Sequence, residues 1–246
     1  MELNIEPELL KSIVKLDREQ ELSFMLEEKG IVFRCVDSAH VGMFSVTVLK
    51  ETLGSYKIDE GEAETIINIK KELLQQILSI TSPSDNIFIK KEDSNTLRFE
   101  FGLIERKIKT ITDTSWQKRP KMTVPESMFT IKTENLRKIF KASSAVSDAV
   151  MFVASEKGVS IGNKSAEQSS KIAITRDLLT KITFTEQTAA EYPLDYLNFF
   201  SSNIPTETVD IHFGTNFPIF IYFSLPSNTK VNPEVEVIIA PRINKE

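Results

Sequence analysis

The chain carries one sequence pattern twice, and this duplication limits the folds that are open to it. Three pairs of segments repeat at offsets of 128, 126 and 123 residues: EKGIVF (28–33) with EKGVSI (156–161), LKSIVK (10–15) with LRKIFK (136–141), and IKKELLQQI (69–77) with YPLDYLNFF (192–200). Because the three offsets nearly agree, the pattern predicts two copies of one structural unit whose loops differ slightly in length.

Each copy of the repeat is predicted to be an α+β unit. Apolar residues recur at helical spacing in four segments, two in each copy: Glu8–Leu16, Lys70–Ile80, Glu134–Ala142 and Tyr192–Ile204. Most of the other segments alternate apolar and polar residues as paired strands do, and the glycine of each EKG turn fits a hairpin. We therefore predict two helices on one face of an antiparallel sheet in each copy.

One segment shows neither the helical spacing of apolar residues nor the alternation of a strand. ITDTSWQKRPKMTVP (111–125) contains two prolines and has no regular spacing of apolar residues. We predict that it links an N-terminal domain at residues 1–110 to a C-terminal domain at residues 126–246. Trp116, the only tryptophan, either anchors this linker on the domain surface or stays exposed for a partner.

The composition excludes several classes of protein. A net charge of −5 argues against a broadly basic nucleic-acid-binding surface, so any such contact is expected to be local. Neither GxGxxG nor GxxxxGK[ST] occurs, which removes the main support for a nucleotide-binding enzyme. No apolar run suits a membrane span. The single cysteine, Cys35, lies in an apolar run and is expected to be buried in a protein of a reducing compartment.

No catalytic or metal-binding constellation stands out. The chain has two histidines, His40 and His212, and no HxH, CxxC or HExxH pattern, so neither a metal nor a cofactor is expected. Asp37, Ser38 and His40 are too close along an extended segment to form a good relay. A hydrolase that uses Asp37 and His40 stays open as the alternative of a different class.

Four segments resemble the proliferating cell nuclear antigen (PCNA) family of DNA sliding clamps, in the form of its archaeal members. They are DSAHVGMFSVTV (37–48), like DSSHVALVSLxL; SDAVMF (147–152), like GDAVxI; YPLDYLNFF with NFPIFIYF (216–223), like YxLxYLNxF and xxPLxxxY; and IIAPRI (238–243), like LAPKI or LAPRI. The resemblance implies two tandem clamp domains in a six-domain trimeric ring, with helices around a central hole and sheets outside. It implies a non-catalytic processivity factor in DNA replication and repair.

The resemblance also assigns a DNA-binding face. Sequence-independent contact with duplex DNA in the hole is expected from cations on the first and third helices: Lys11, Lys15, Arg18, Arg137, Lys138 and Lys141. The second and fourth helices depart from the family by offering few cations, with Gln76, Ser79, Asp195 and Ser202 instead. A homotrimer and a heterotrimer with paralogues are therefore both open, as is a checkpoint-type clamp subunit.

Partner and subunit contacts follow from the same resemblance. DNA polymerase, the clamp loader and other proteins with a clamp-binding motif are expected in an apolar pocket of His40, Val41, Met43, Met122, Val124, Pro218, Ile238, Ile239 and Ala240. Subunits are expected to join through two strand edges that include Leu103, Arg106, Lys109, Lys171, Ile174 and Arg176. The expected location is on the chromosome, in the cytoplasm of an archaeon or the nucleus of a eukaryote.

Overall fold

A computed structural model describes residues 1–112, 116–155, 158–164, 169–175, 179–184 and 187–243. The chain forms two compact units. The first contains Met1–Ser38, Phe44–Arg119 and Ser224–Val235, and the second contains Ala39–Met43, Pro120–Phe223 and the residues from Glu236 onward. No helix in the described residues is both long and apolar enough to cross a membrane.

The described residues of the first unit form two helices and two groups of antiparallel strands. Its elements are β1 (Glu2–Ile5), α1 (Pro7–Leu16), β2 (Glu21–Glu27), β3 (Gly30–Val36), β4 (Gly42–Leu49), a 3-10 turn (Lys50–Thr52), β5 (Ser55–Lys57), β6 (Ile66–Lys70), α2 (Lys71–Ile80), β7 (Ile87–Asp93), β8 (Thr96–Phe101) and β9 (Ile104–Lys109). The strand orders are β5-β1-β7-β8-β9 and β4-β3-β2-β6. The two helices pack against each other, and α2 also contacts β6.

The second unit repeats this plan. Its elements are β10 (Met128–Lys132), α3 (Thr133–Ser144), β11 (Ala149–Ser155), β12 (Gly158–Lys164), β13 (Ser169–Ile174), β14 (Lys181–Thr183), β15 (Thr188–Pro193), α4 (Leu194–Ser202), β16 (Thr208–His212), β17 (Ile219–Ser224) and β18 (Glu234–Ile239). The strand orders are β14-β10-β16-β17-β18 and β13-β12-β11-β15. Here α3 packs against α4.

The predicted duplication is confirmed element by element. Each strand of the first unit has a counterpart at the same place in a sheet of the second, and each helix follows the matching strand. The turn glycines show why EKG recurs. Gly30 and Gly158 have φ of 146° and 125°, and an added Cβ would lie 2.1 Å from the Val48 carbonyl oxygen and 2.7 Å from that of Ile174. Only glycine fits at both turns.

The helices form because each has one apolar face to bury. Helix α1 starts at Pro7, whose missing N–H costs nothing in the first turn, and it buries Leu9, Leu10 and Ile13. Helix α3 buries Leu136 and Phe140 in the same way. All four predicted helices are present. The described part of the predicted linker contains no helix or named strand, apart from an isolated bridge between Ile111 and Asn68.

Candidate functional site

Helix α1 presents cations on its exposed side, but they differ in availability. Lys15 is exposed, and no described residue forms an ion pair with it. Lys11 is half-buried and its ammonium lies 2.8 Å from the carboxylate of Glu8. Arg18 follows the end of the helix and is exposed. Of the three predicted cations of this helix, Lys15 is therefore the best placed to attract an anion.

Helix α3 presents two lysines, Lys138 and Lys141, on its exposed side. Lys141 is exposed and has no ion-pair partner within the described ranges of the chain. Lys138 lies 2.5 Å from Glu134, one turn earlier, and both side chains are exposed. Solvent screens an exposed pair of this kind, so the pair holds Lys138 only weakly. Lys15 and Lys141 stand at the end of the repeated segments LKSIVK and LRKIFK.

Arg137 is used within the fold. Its Nε donates to the carbonyl oxygen of Ser201 at 2.8 Å, and its Nη2 donates to those of Ile204 at 2.5 Å and Ser202 at 3.5 Å. These carbonyls lie at the C-terminal end of α4, where they have no partner in the helix and where the helix dipole favours a cation. Arg137 is thus a cap of α4, which the sequence pattern did not predict.

The outer sides of α2 and α4 carry few cations, as the sequence comparison indicated. Gln76 and Ser79 are exposed on α2, and Asp195 and Ser202 are exposed on α4. Lys71, at the start of α2, donates its ammonium to the backbone carbonyl of Asp17 at 2.9 Å. The exposed positive charge of the helices is therefore concentrated on α1 and α3.

The second unit contains a cavity of about 840 Å³. It brings together two predicted pocket residues, since the backbone N–H of Ala240 donates to the carbonyl of Val41 at 2.8 Å. The rest of its lining was not predicted: Ala39, the turn Ser144–Asp148, Pro193, Leu194, Asp195, Tyr196, Asn198, Pro241 and Arg242. Most of the walls are small or apolar side chains around a few polar groups, an arrangement typical of a site that binds part of a ligand or peptide.

The other predicted pocket residues do not line this cavity. His40 is exposed in a left-handed turn with φ of 55°, and Met122, Val124 and Pro218 are half-buried. Met43 and Ile238 are almost completely buried, and Ile239, in β18, is completely buried. The side chain of Ile239 therefore does not reach the surface.

One ion pair closes an edge of the cavity. The guanidinium of Arg242 makes two hydrogen bonds to the carboxylate of Asp148, at 2.9 and 2.7 Å. The hydrogen bonds from Arg242 hold the pKa of Asp148 below its usual range. The two residues are 94 positions apart, so no local pattern could have paired them.

The two predicted subunit edges are both ends of sheets in the described residues. Strand β9 ends the sheet β5-β1-β7-β8-β9, and β13 ends the sheet β13-β12-β11-β15. Leu103, Arg106, Lys109 and Lys171 are exposed, and Ile174 is buried. Arg176 lies outside the described residues. An exposed strand edge offers unpaired N–H and C=O groups to another strand.

Contacts of the first unit answer the question about Trp116 and describe the environment of Cys35. Trp116 is half-buried and its ring centre lies 5.1 Å from the guanidinium of Arg34 on β3, so it anchors the linker on the domain surface. Arg34 also donates to the carbonyl of Gln117 at 3.4 Å. Cys35 is half-buried, and burial together with the neighbouring Asp17 raises the pKa of its thiol, which therefore stays protonated and unreactive.

Groups that could support catalysis are not assembled in the described part of the chain. Asp37 is buried, whereas Ser38 and His40 are exposed. No group of three or more metal-ligating side chains occurs among the described residues.

Known proteins match both halves of this architecture. The family model described as proliferating cell nuclear antigen, N-terminal domain, matches residues 3–118. The DNA polymerase sliding clamp of Archaeoglobus fulgidus is 30% identical over 246 residues, covering 97% of each chain. That of Thermoplasma volcanium is 27% identical over 241 residues, covering 97% of this chain and 94% of its own.

Solved structures agree with these matches. A structure of A. fulgidus PCNA, with the C-terminal region of FEN-1 bound to it, superimposes with a TM-score of 0.87 at 27% identity, covering 100% of this chain and 99% of the other. PCNA from Thermococcus kodakaraensis superimposes with a TM-score of 0.83 at 19% identity, covering 98% and 99%, which adds support for the fold alone.

Proposed function

The chain belongs to the proliferating cell nuclear antigen family of DNA polymerase sliding clamps, and we propose that it encircles duplex DNA as a trimeric ring and tethers replication and repair proteins to it. Members of this family act as processivity factors, so the protein is not an enzyme. Its work on DNA is mechanical: it keeps a polymerase near its template without catalysing a reaction.

The duplicated pair of exposed lysines carries this proposal. Lys15 on α1 and Lys141 on α3 occupy matching places in the two units and have no ion-pair partner in the described residues. In a ring of three chains these lysines give six equivalent cations around the hole. Flexible cations attract phosphates of any sequence and release them easily, so the ring stays on DNA and slides. Lys11, Arg18 and Lys138 add to the same face.

Client proteins bind at the second unit in this proposal. The A. fulgidus relative has the C-terminal region of FEN-1 bound to it, and the cavity beside Val41 and Ala240 is of the size that holds a few side chains of a peptide. We place the rest of the client along the neighbouring predicted residues: His40, Met43, Met122, Val124, Pro218 and Ile238. DNA polymerase and the clamp loader use the same surface.

The ring closes when the β9 edge of one subunit pairs with the β13 edge of the next. Both edges end their sheets in the described residues, and both carry exposed side chains, which alternate along β13 and are almost continuous along β9. The neighbouring subunit is a second copy of this chain or a paralogue, and the protein acts on chromosomal DNA. In a ring of identical subunits, DNA contact relies on α1 and α3; in a mixed ring, a paralogue would supply the cations that α2 and α4 lack.

Primer extension on circular DNA tests the proposal. A cognate polymerase with its clamp loader should make long products on a primed circle when the protein is present. The same DNA, linearised, should lose this stimulation because a ring slides off its ends. Light scattering should give the mass of three subunits, alone or with a paralogue. A protein that stays monomeric with every paralogue, or equal stimulation on circular and linear DNA, would refute the ring.

A further inference from the structure

Lys171, on the edge strand β13, has no side chain opposite it in its own sheet. Its partner on β12 is Gly162, where an added Cβ would lie 2.4 Å from the Ser170 carbonyl oxygen and 3.0 Å from Cα of Lys171. Lys171 is exposed and forms no ion pair within the described ranges. Its ammonium is therefore left to the open side of the sheet, where another strand can supply a carboxylate.

Glu105, on the edge strand β9, is loosely held in its own sheet. It is 49% exposed, and its two ion pairs are long, at 3.7 Å to Arg98 and 3.9 Å to Lys107. Arg98 is closer to Glu100, at 2.9 Å. Lys107 is likewise closer to Glu92, at 2.8 Å. Such long, exposed pairs are weak, so Glu105 is available to a cation on a neighbouring strand.

Each of the two edges has a buried face and an outer face. On β9, Ile104 lies on the buried face, opposite the buried Phe101, and is 41% exposed. On β13, Ile172 lies on the buried face and is half-buried. Because side chains alternate along a strand, the next residues, Glu105 and Lys171, lie on the outer faces. Two edges that join their sheets must match these faces, which permits only registers that differ by two residues.

We infer that β9 of one subunit and β13 of the next pair antiparallel, with Glu105 opposite Lys171, so that this chain is complementary to a second copy of itself. The inference rests on the proposed ring. The strand pairs inside both sheets are antiparallel. The same register sets Ile104 opposite Ile172, so the contact also covers two incompletely buried apolar side chains.

The neighbouring registers lack this match. A shift of two residues in one direction sets Lys107 opposite Lys171, and a shift of four sets Lys109 there. Like charges directly opposite each other are destabilising. A shift of two residues in the other direction sets Leu103, which precedes β9, opposite Lys171 and leaves the ammonium without a carboxylate.

Charge reversal tests this register. Glu105→Lys and Lys171→Glu each set like charges opposite one another, and each should raise the concentration needed for half-assembly about tenfold, because a closed ring repeats the contact. The double variant restores an opposite pair and should return to within about threefold of wild type. Light scattering over a dilution series measures assembly, and circular dichroism shows that each variant is folded.

Lys181→Glu provides the control for net charge. Lys181 is an exposed residue of β14, which lies in a different sheet from β13. Glu105→Lys combined with Lys181→Glu has the same net charge as the double reversal but no restored pair. It should therefore assemble as poorly as Glu105→Lys alone.

Cysteine pairs test the register directly. Lys107→Cys with Ser169→Cys should cross-link subunits under mild oxidation, since opposite positions bring Cα atoms to about 4.5–5.5 Å, within reach of a disulfide. Lys109→Cys with Ser169→Cys is opposite only after a shift of two residues, and its yield on a denaturing gel should be at least about tenfold lower. Lys107→Cys alone reports the background from Cys35.

The possible results separate this inference from the proposed function. A double charge reversal that assembles no better than the single variants, a Lys171→Glu protein that assembles better than wild type, or preferred cross-linking of Lys109→Cys overturns the register and leaves the ring standing. Assembly of the wild-type chain only with a paralogue overturns the match between two copies and leaves the proposed function standing. A chain that stays monomeric with every paralogue overturns both.

Discussion

The Nε of Arg137 lies 2.8 Å from the carbonyl oxygen of Ser201, so a side chain of α3 caps the C-terminal end of α4. Hydrogen bonds from a charged donor to such carbonyls are stronger than neutral ones, although partial exposure of the guanidinium weakens them. We expect Arg137→Ala to lower the free energy of unfolding by about 1–2 kcal/mol, measured by denaturant titration.

Lys141→Ala is the matched control, because it removes a neighbouring exposed cation that forms no ion pair in the described residues. Its free energy of unfolding should stay within about 0.5 kcal/mol of wild type. A stable Arg137→Ala protein that loses DNA affinity as Lys141→Ala does would show that Arg137 is a phosphate contact after all.

Lys15 and Lys141 should determine how salt weakens the hold on DNA. Each lost phosphate contact lowers the slope of log affinity against log salt concentration by about 1. We expect Lys15→Ala and Lys141→Ala each to lower this slope for duplex DNA in a NaCl titration, and the double variant to lower it further. Lys29→Ala removes an exposed lysine of the β2–β3 turn and serves as the control. If Lys29→Ala lowered the slope by the same amount, the salt dependence would come from the net charge of the protein and not from these helix positions.

Asp17 should destabilise the protein at neutral pH. Its side chain is 3% exposed, and Oδ1 accepts from the N–H of Glu19 at 2.8 Å. Burial raises the pKa of Asp17 to about 6, from an ordinary 3.8. The folded state therefore binds more protons than the unfolded state between these values. This contribution to stability is fully present below the lower pKa and is lost as pH rises through the higher one.

Asp17→Asn removes that cost while keeping an acceptor for Glu19. Relative to wild type, we expect the free energy of unfolding of the variant to be roughly 2–3 kcal/mol higher at a pH well above the raised pKa than in acid. Denaturant titrations in acid and at slightly alkaline pH measure the difference. Asp148→Asn is the control. Arg242 lowers the pKa of Asp148, so the contribution of Asp148 to stability changes with pH in the opposite direction. If Asp17→Asn changed the free energy of unfolding equally at both pH values, the raised pKa of Asp17 could not be the cause.

The exposed edge of β13 should control assembly. Ala173 is exposed in the middle of this strand, opposite Ser160 of β12. Proline has no N–H and fits poorly into a paired strand, so Ala173→Pro should raise the concentration needed for half-assembly at least about tenfold. Light scattering over a dilution series measures this concentration, and circular dichroism checks that the subunit is folded. Ala173→Ser should assemble normally, and a trimer that survives Ala173→Pro would place the contact elsewhere.

Much of the fold follows from local pattern. The four helices were predictable because apolar residues recur on one face and because Pro7 marks a helix start. The two copies were predictable because three pairs of segments repeat at nearly equal offsets, and one of these pairs contains the glycines, Gly30 and Gly158, that have no room for a side chain. The exposure of Lys15 and Lys141 follows from the same helical period.

The site required the tertiary structure. Arg137 looks like its neighbour Lys138 in the sequence, and only the packing of α3 on α4 brings it to carbonyls more than sixty positions away. The same holds for Arg242 with Asp148, whose closeness depends on how strands and helices meet. By itself the sequence determined the elements, the duplication and the family, because these depend on periodicity and short motifs. Which helix cations are used within the fold, and which side chains line the cavity of the second unit, were decided by long-range packing, which local periodicity does not encode.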